Sequence, residues 1–192
     1  VSLGSLRVRQ DFMIAQGLAQ PYDESDDNHS TMMEMALARL RQLSAHEVGH
    51  TIGLAHNFAS SYNERASVMD YPHPILDLDE NGKLDIRDAY EVGIGDWDKR
   101  TILYGYQDFP ENTNEEEALE KIIDESIQMG FLFISDNDSR PPGGAHPFSH
   151  LWDNGKSPVE ELERLSGIRM KAMENFSANA IPNGTPYSKL EN

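Results

Sequence analysis

The chain has 192 residues, 38% of them hydrophobic, with a mean hydropathy of −0.60, enough for one domain with at most a small appendage. Its 16 basic and 33 acidic residues leave a formal charge of −17, which argues against nucleic acid and anionic membranes as partners, and no apolar run is long enough to span a membrane. Cysteine is absent, so neither a disulfide staple nor a thiolate zinc site is available, and this composition fits an exported protein. The valine start without a signal peptide and the plain end at Asn192 lead us to expect a piece cut from a longer protein.

Leu6 and Val8 alternate with Arg7 and Arg9, which predicts a strand over residues 2–9, with a short helix or turn over 11–20. Residues 22–30 are acidic and polar. They read as a solvated loop with His29 at the surface, a cation site being the alternative. Ser30 or Thr31 can cap a helix, Thr31 completing a capping box with Glu34, and helix formers run from Met32 to Leu54. Met33, Leu37, Leu40 and Leu43 mark its expected apolar stripe.

That helix runs into His46-Glu47-Val48-Gly49-His50, followed by Gly53 and His56, in the pattern H-E-x-x-H-x-x-G-x-x-H. Histidines four apart share one helix face and can grip one metal ion, and Glu47 is set to reach a water on that metal rather than the metal itself. Gly53 can take positive φ, end the helix and bring His56 round as a third ligand. Three histidines leave tetrahedral zinc one open position for water, as a catalytic site requires. Gly49, between the first two histidines, costs about 1 kcal/mol of helix propensity and permits close packing.

Residues 57–66 read as a polar loop, and Pro72 and Pro74 exclude regular structure around His73. Asp77, Asp79, Asn81, Gly82, Asp85 and Asp88 then occupy positions 1, 3, 5, 6, 9 and 12 of an EF-hand loop, a spacing of hard oxygen ligands that suits calcium. The favoured alternative is a hairpin, because apolar residues alternate on both sides of Asn81-Gly82, a type I′ turn signal. Residues 86–106 read as a helix interrupted at Gly93 and Gly95, with Asp96 capping its second part and Ile102, Leu103 and Tyr104 facing inward. Asn114 opens a helix over 115–129 that Gly130 ends, Phe131 to Ile134 is a short strand or extended segment, and 136–150 is a loop. Pro147 separates His146 from His150, which argues against a second metal site there. A last helix starts at Ser157-Pro158 and runs to about Phe176, and the tail after Pro182 reads as irregular.

The segment Ser67-Val68-Met69-Asp70-Tyr71-Pro72, a methionine in a tight turn downstream of the third histidine, resembles the metzincin metallopeptidases. Val1 to Asp11, Met35 to Ala45, Ser67 to Pro74, Gly93 to Asp98 and His150 to Gly155 are similar to the large bacterial zinc-dependent metalloproteases that carry a Met-zincin domain. The resemblance implies a predominantly helical α+β fold, with a catalytic core over 1–110 whose upstream sheet is incomplete and a helical C-terminal extension over 111–192. It also implies that Met69 lies beneath the zinc ligands, that Tyr71 helps stabilise the transition state, and that the helix over Trp97 to Gly105 packs under the site. The strand at 2–9 would be a cleft edge to which an extended peptide adds. The implied protein is a zinc endopeptidase acting on peptides or proteins, in a secreted, periplasmic or cell-surface location and within a larger parent chain.

Two other readings compete. One is a thermolysin-like enzyme with Glu64 as third ligand, which His56 and the methionine turn disfavour. The other is a catalytically incompetent, metal-stabilised binding or glycan-handling module, prompted by the 45 residues that precede the motif, fewer than a full metzincin cleft uses.

Overall fold

The computed structural model describes residues 5–20, 22, 29–152 and 154–189. The expected loop and alternative cation site over 23–28, the side chains of His29, Ser30 and Thr31, and residues 2–4 of the expected strand lie outside the described residues. The fold is α+β and mostly helical, and no helix is long and apolar enough to cross a membrane.

The N-terminal segment is a helix, α1 (Ser5–Ala19), and not a strand. Asp11 and Ala15 are buried, and Phe12, Ile14 and Leu18 pack against the same core, a helical rather than alternating spacing. A buried aspartate sits in the middle of that face, so the apolar pattern alone conceals it. The next helix, α2 (His29–Thr51), begins before the expected caps, which leaves Ser30 and Thr31 inside its first turn. Its buried face is Met32, Met35, Ala36, Arg39, Gln42 and His46, whereas Met33 and Leu37 of the expected stripe are 54% and 46% exposed. Polar residues hold the buried face because they have partners. Arg39 donates to Gln42 and pairs with Asp11 at 3.7 Å, and Asp11 also accepts from the Tyr90 hydroxyl at 3.2 Å.

Two strands, β1 (Asp77–Leu78) and β2 (Leu84–Asp85), form an antiparallel hairpin with Asp77 opposite Asp85 and Leu78 opposite Leu84. The turn is not type I′. The Gly82 N–H donates to the Asp79 carbonyl at 2.9 Å, the Asp79 N–H to Lys83 at 2.8 Å, and positive φ falls on Gly82 and not on Asn81. This is a type I turn closed by a glycine in the left-handed region. Residues 86–92, expected to be helical, form turns instead. Ala89 donates back to Ile86 and accepts from Ile75, so the backbone groups a helix would use are already engaged.

Four further helices follow: α3 (Asp96–Tyr106), α4 (Glu115–Gln128), the single turn α5 (Asp136–Ser139) inside the expected loop, and α6 (Pro158–Glu174). Asn114 and Gly130 bound α4 as expected, and residues 131–134 are extended. Of the residues expected to face inward on α3, Tyr104 is 44% exposed.

The described residues group into two compact units. One takes those of Val1–Leu43, Pro74–Val92 and Val159–Asn192, with a core of Ala15, Met32, Met35, Leu76, Ile86, Ala89, Tyr90 and Ile168. The other takes Ser44–His73 and Gly93–Pro158, where Leu54, Val68 and Met69 pack with Ala45, Ile52 and Trp97. The C-terminal stretch from residue 111 thus supplies residues to both units.

Candidate metal centre

The centre is built by the last turns of α2 and the chain that leaves them. α2 ends in a Schellman motif, with the Leu54 N–H on the Gly49 carbonyl at 3.0 Å, the Gly53 N–H on the His50 carbonyl at 3.1 Å, and Gly53 at φ +90°. This turn reverses the chain and brings His56 back towards His46 and His50. Nε2 of His50 lies 3.1 Å from Nε2 of both His46 and His56. Among the described residues, these three form the group of potential ligands whose donor atoms converge, all within 4.8 Å of one another. Glu64, the alternative third ligand, is outside this group. It ends the 3-10 turn Ser61–Asn63 with left-handed φ. His146 and His150 are outside it too, and His146 Nδ1 accepts from the Phe148 N–H at 3.1 Å.

Each histidine has its other ring nitrogen committed. Nδ1 of His46 donates to the Val68 carbonyl at 2.7 Å, Nδ1 of His50 to the Leu54 carbonyl at 2.9 Å, and Nδ1 of His56 to Asp136 Oδ2 at 2.8 Å. A carbonyl or carboxylate oxygen only accepts, so each neutral ring carries its proton on Nδ1 and has a bare lone pair on Nε2. Three lone pairs facing one another at this spacing repel unless a cation lies between them. Tetrahedral zinc with Zn–N bonds near 2.05 Å sets its nitrogens about 3.3 Å apart, close to the 3.1 Å between His50 Nε2 and each of the other two. The donor set therefore fits zinc. Burial also lowers the His46 pKa by more than the bond to Val68 raises it, which favours the neutral, ligating ring.

Met69 and Tyr71 lie against these residues. Met69 is fully buried, and a Cβ added at Gly49 would collide with its sulfur, so the glycine between the first two ligands is needed for that contact. The Tyr71 hydroxyl is 2.9 Å from His56 Nε2. Its ring stacks on His46 at 5.3 Å and on Trp152 at 5.1 Å, the latter nearly parallel at 7°. Trp152 donates its N–H to the Tyr71 carbonyl and takes φ +63°, a left-handed conformation uncommon for a bulky residue. Glu47 is half-buried on α2 beside His46. Among the described residues, the carboxylates of 77–88 form no converging group of three.

Sequence reasoning missed three supports. The buried Asp98 accepts from the Ser67 hydroxyl at 2.5 Å and from the Val68 and Gly95 N–H groups at 2.8 Å, and so holds Val68, the residue whose carbonyl orients His46. Burial pushes its carboxyl above the usual value, and these donors pull it back only in part. The available signal was its position as third residue of α3, from which it reaches back to the cap at Gly95, the role expected of Asp96. Asp136 and Trp152 carried no local signal.

A family model described as Met-zincin matches residues 28–192. No curated protein and no solved structure matches the chain.

Proposed function

This chain belongs to the Met-zincin family, and from that premise we propose that it is a zinc-dependent endopeptidase whose general base is Glu47. Family and histidine triad together make it a zinc-binding, metallopeptidase-like domain. The observation that carries the catalytic reading is the convergence of three Nε2 lone pairs, each freed for ligation by an Nδ1–H bond elsewhere.

When bound, zinc supplies a Lewis acid and a water acidified towards a pKa of about 7. His46, His50 and His56 would hold it through their Nε2 atoms. Glu47 takes a proton from the attacking water and delivers it to the nitrogen of the departing amine. The Tyr71 hydroxyl, at hydrogen-bonding distance from a ligand nitrogen on a ring that stacks on His46 and Trp152, donates to the oxyanion that forms on the scissile carbonyl. Met69 acts as the base of a Met-turn, its soft sulfur filling the space against Gly49 under the ligands. No covalent enzyme intermediate is needed.

The test is Glu47→Gln, assayed for zinc content and for cleavage of a quenched-fluorescent peptide library. Zinc is expected to stay at one per chain while turnover falls by about 10²-fold or more, the usual worth of a positioned base. Turnover that survives the substitution removes Glu47 from this role. Zinc-loaded wild-type chain with no peptidase activity removes the endopeptidase reading and leaves a binding domain.

A further inference from the structure

The three ligands are not held alike. His46 and His50 sit on α2, and their Nδ1 acceptors are backbone carbonyls, fixed by the turns that contain them. His56 lies beyond the helix end in a stretch without regular structure, and its Nδ1 acceptor is a side chain 80 residues along the chain, Asp136. We propose that Asp136 is a positioning residue of the zinc site, fixing the ring of His56 and thereby setting the affinity for the metal. The inference rests on the zinc-site reading above and adds the determinant of its weakest ligand.

Asp136 is delivered to His56 by a built connection. Asn57, next to His56, donates Nδ2 to the Leu132 carbonyl at 3.0 Å and accepts from the Ile134 N–H at 3.2 Å. The Phe58 N–H donates to the Ile134 carbonyl at 2.8 Å. The segment 132–134 is thus laced to the two residues that follow the ligand, and Asp136 opens α5 immediately beyond it. Arg140, the other charged partner of Asp136, stands off at 3.9 Å, so the short contact is the one to the imidazole. A carboxylate on Nδ1–H holds the tautomer with its lone pair on Nε2, fixes the ring plane and makes Nε2 a stronger donor, and loss of such a partner typically weakens metal binding about 10–100-fold. The Asp136 side chain is 51% exposed, so replacing it opens no core cavity.

The experiment compares wild type, Asp136→Ala, Asp136→Glu and the control Asp138→Ala, which changes an exposed acid on the same helical turn. Zinc affinity is read by competition with a chromophoric chelator, apo-state stability by urea denaturation, and the His56 tautomer by nitrogen-15 imidazole shifts of the metal-free chain. Asp136→Ala is expected to weaken zinc binding about 10–100-fold with the apo midpoint unchanged and to lose the single Nδ1–H tautomer of His56, while Asp136→Glu restores most of the affinity and Asp138→Ala keeps all of it. Equal affinity in wild type and Asp136→Ala overturns the proposal while leaving the zinc site intact. An equal loss in Asp138→Ala overturns it in favour of a general charge effect. A wild-type chain that takes up no zinc overturns the site reading itself, and the inference with it.

Discussion

Two stretches of this chain have the spacing of metal ligands, and the fold treats them in opposite ways. At His46, His50 and His56 every ring commits one nitrogen to an oxygen acceptor and turns the other to a common point. At the hairpin the carboxylates are occupied by their own neighbourhood. Asp77 accepts from the Leu78 N–H, Asp79 from the N–H groups of Asn81 and Lys83, and Asp85 from the Arg87 backbone and guanidinium. Spacing selects candidate ligands in both places. What separates them, among the described residues, is convergence: the imidazole nitrogens come within 4.8 Å of one another, and the hairpin carboxylates form no such group of three.

The largest break in this contrast comes from a ligand. His56→Ala should cost more zinc affinity than the about 100-fold upper end for an outer hydrogen-bond partner, read by chelator competition. A smaller loss would mean that Glu64 or another group substitutes, and that convergence in the fold does not report ligation.

Next comes the support under the triad. Asp98→Ala leaves the buried Val68 N–H, the half-buried Gly95 N–H and the Ser67 hydroxyl without their acceptor, and should lower unfolding free energy by about 3 kcal/mol or more in urea. Zinc affinity should fall with it, because the Val68 peptide also orients His46. Gly95→Ala should damage the same turn, since a Cβ there would run into the Ala66 carbonyl. Full zinc affinity in a destabilised Asp98→Ala chain would show that the histidines are held by α2 alone.

The smallest effect belongs to the hairpin. The Arg87 side chain and backbone N–H lower the Asp85 pKa from 3.8 to about 2. A folded-state value below the unfolded one means stability that is present above pH 3.8 and lost as pH falls through about 2. The guanidinium is exposed, so water and salt screen the pair, and Asp85→Asn should leave the neutral-pH urea midpoint within error while flattening the acid limb of the wild-type curve at low salt. Millimolar calcium should not raise the melting temperature. A rise abolished by Asp79→Asn would turn the hairpin into an ion site and cancel the contrast.

Much of the centre was legible because it is local. The four-residue spacing on a helix and the glycine that ends it are each set within a few residues, and the Schellman turn at Gly53 is what a glycine at that position is for. The elements that misled were those whose burial depends on distant partners. Leu6 and Val8 suggested a strand, but Asp11 is buried in a helix because Arg39 and Tyr90 meet it there. The stripe on α2 was misplaced for the same reason, as Arg39 and Gln42 occupy positions that an apolar pattern reserves for leucine.

The sequence by itself therefore determined the candidate ligand set, the helix that carries two of its members, the glycine that admits the third and the acidic, cysteine-free character of the chain. Only the tertiary structure decided which carboxylates serve the centre. Asp98 meets Val68 across 30 residues and Asp136 meets His56 across 80, and neither contact has a local signature. The reason is the reach of the interactions. Helix spacing and a glycine's φ act within a turn or two of chain, whereas a hydrogen bond that fixes a ligand needs only proximity in space, which the packing of the whole unit supplies.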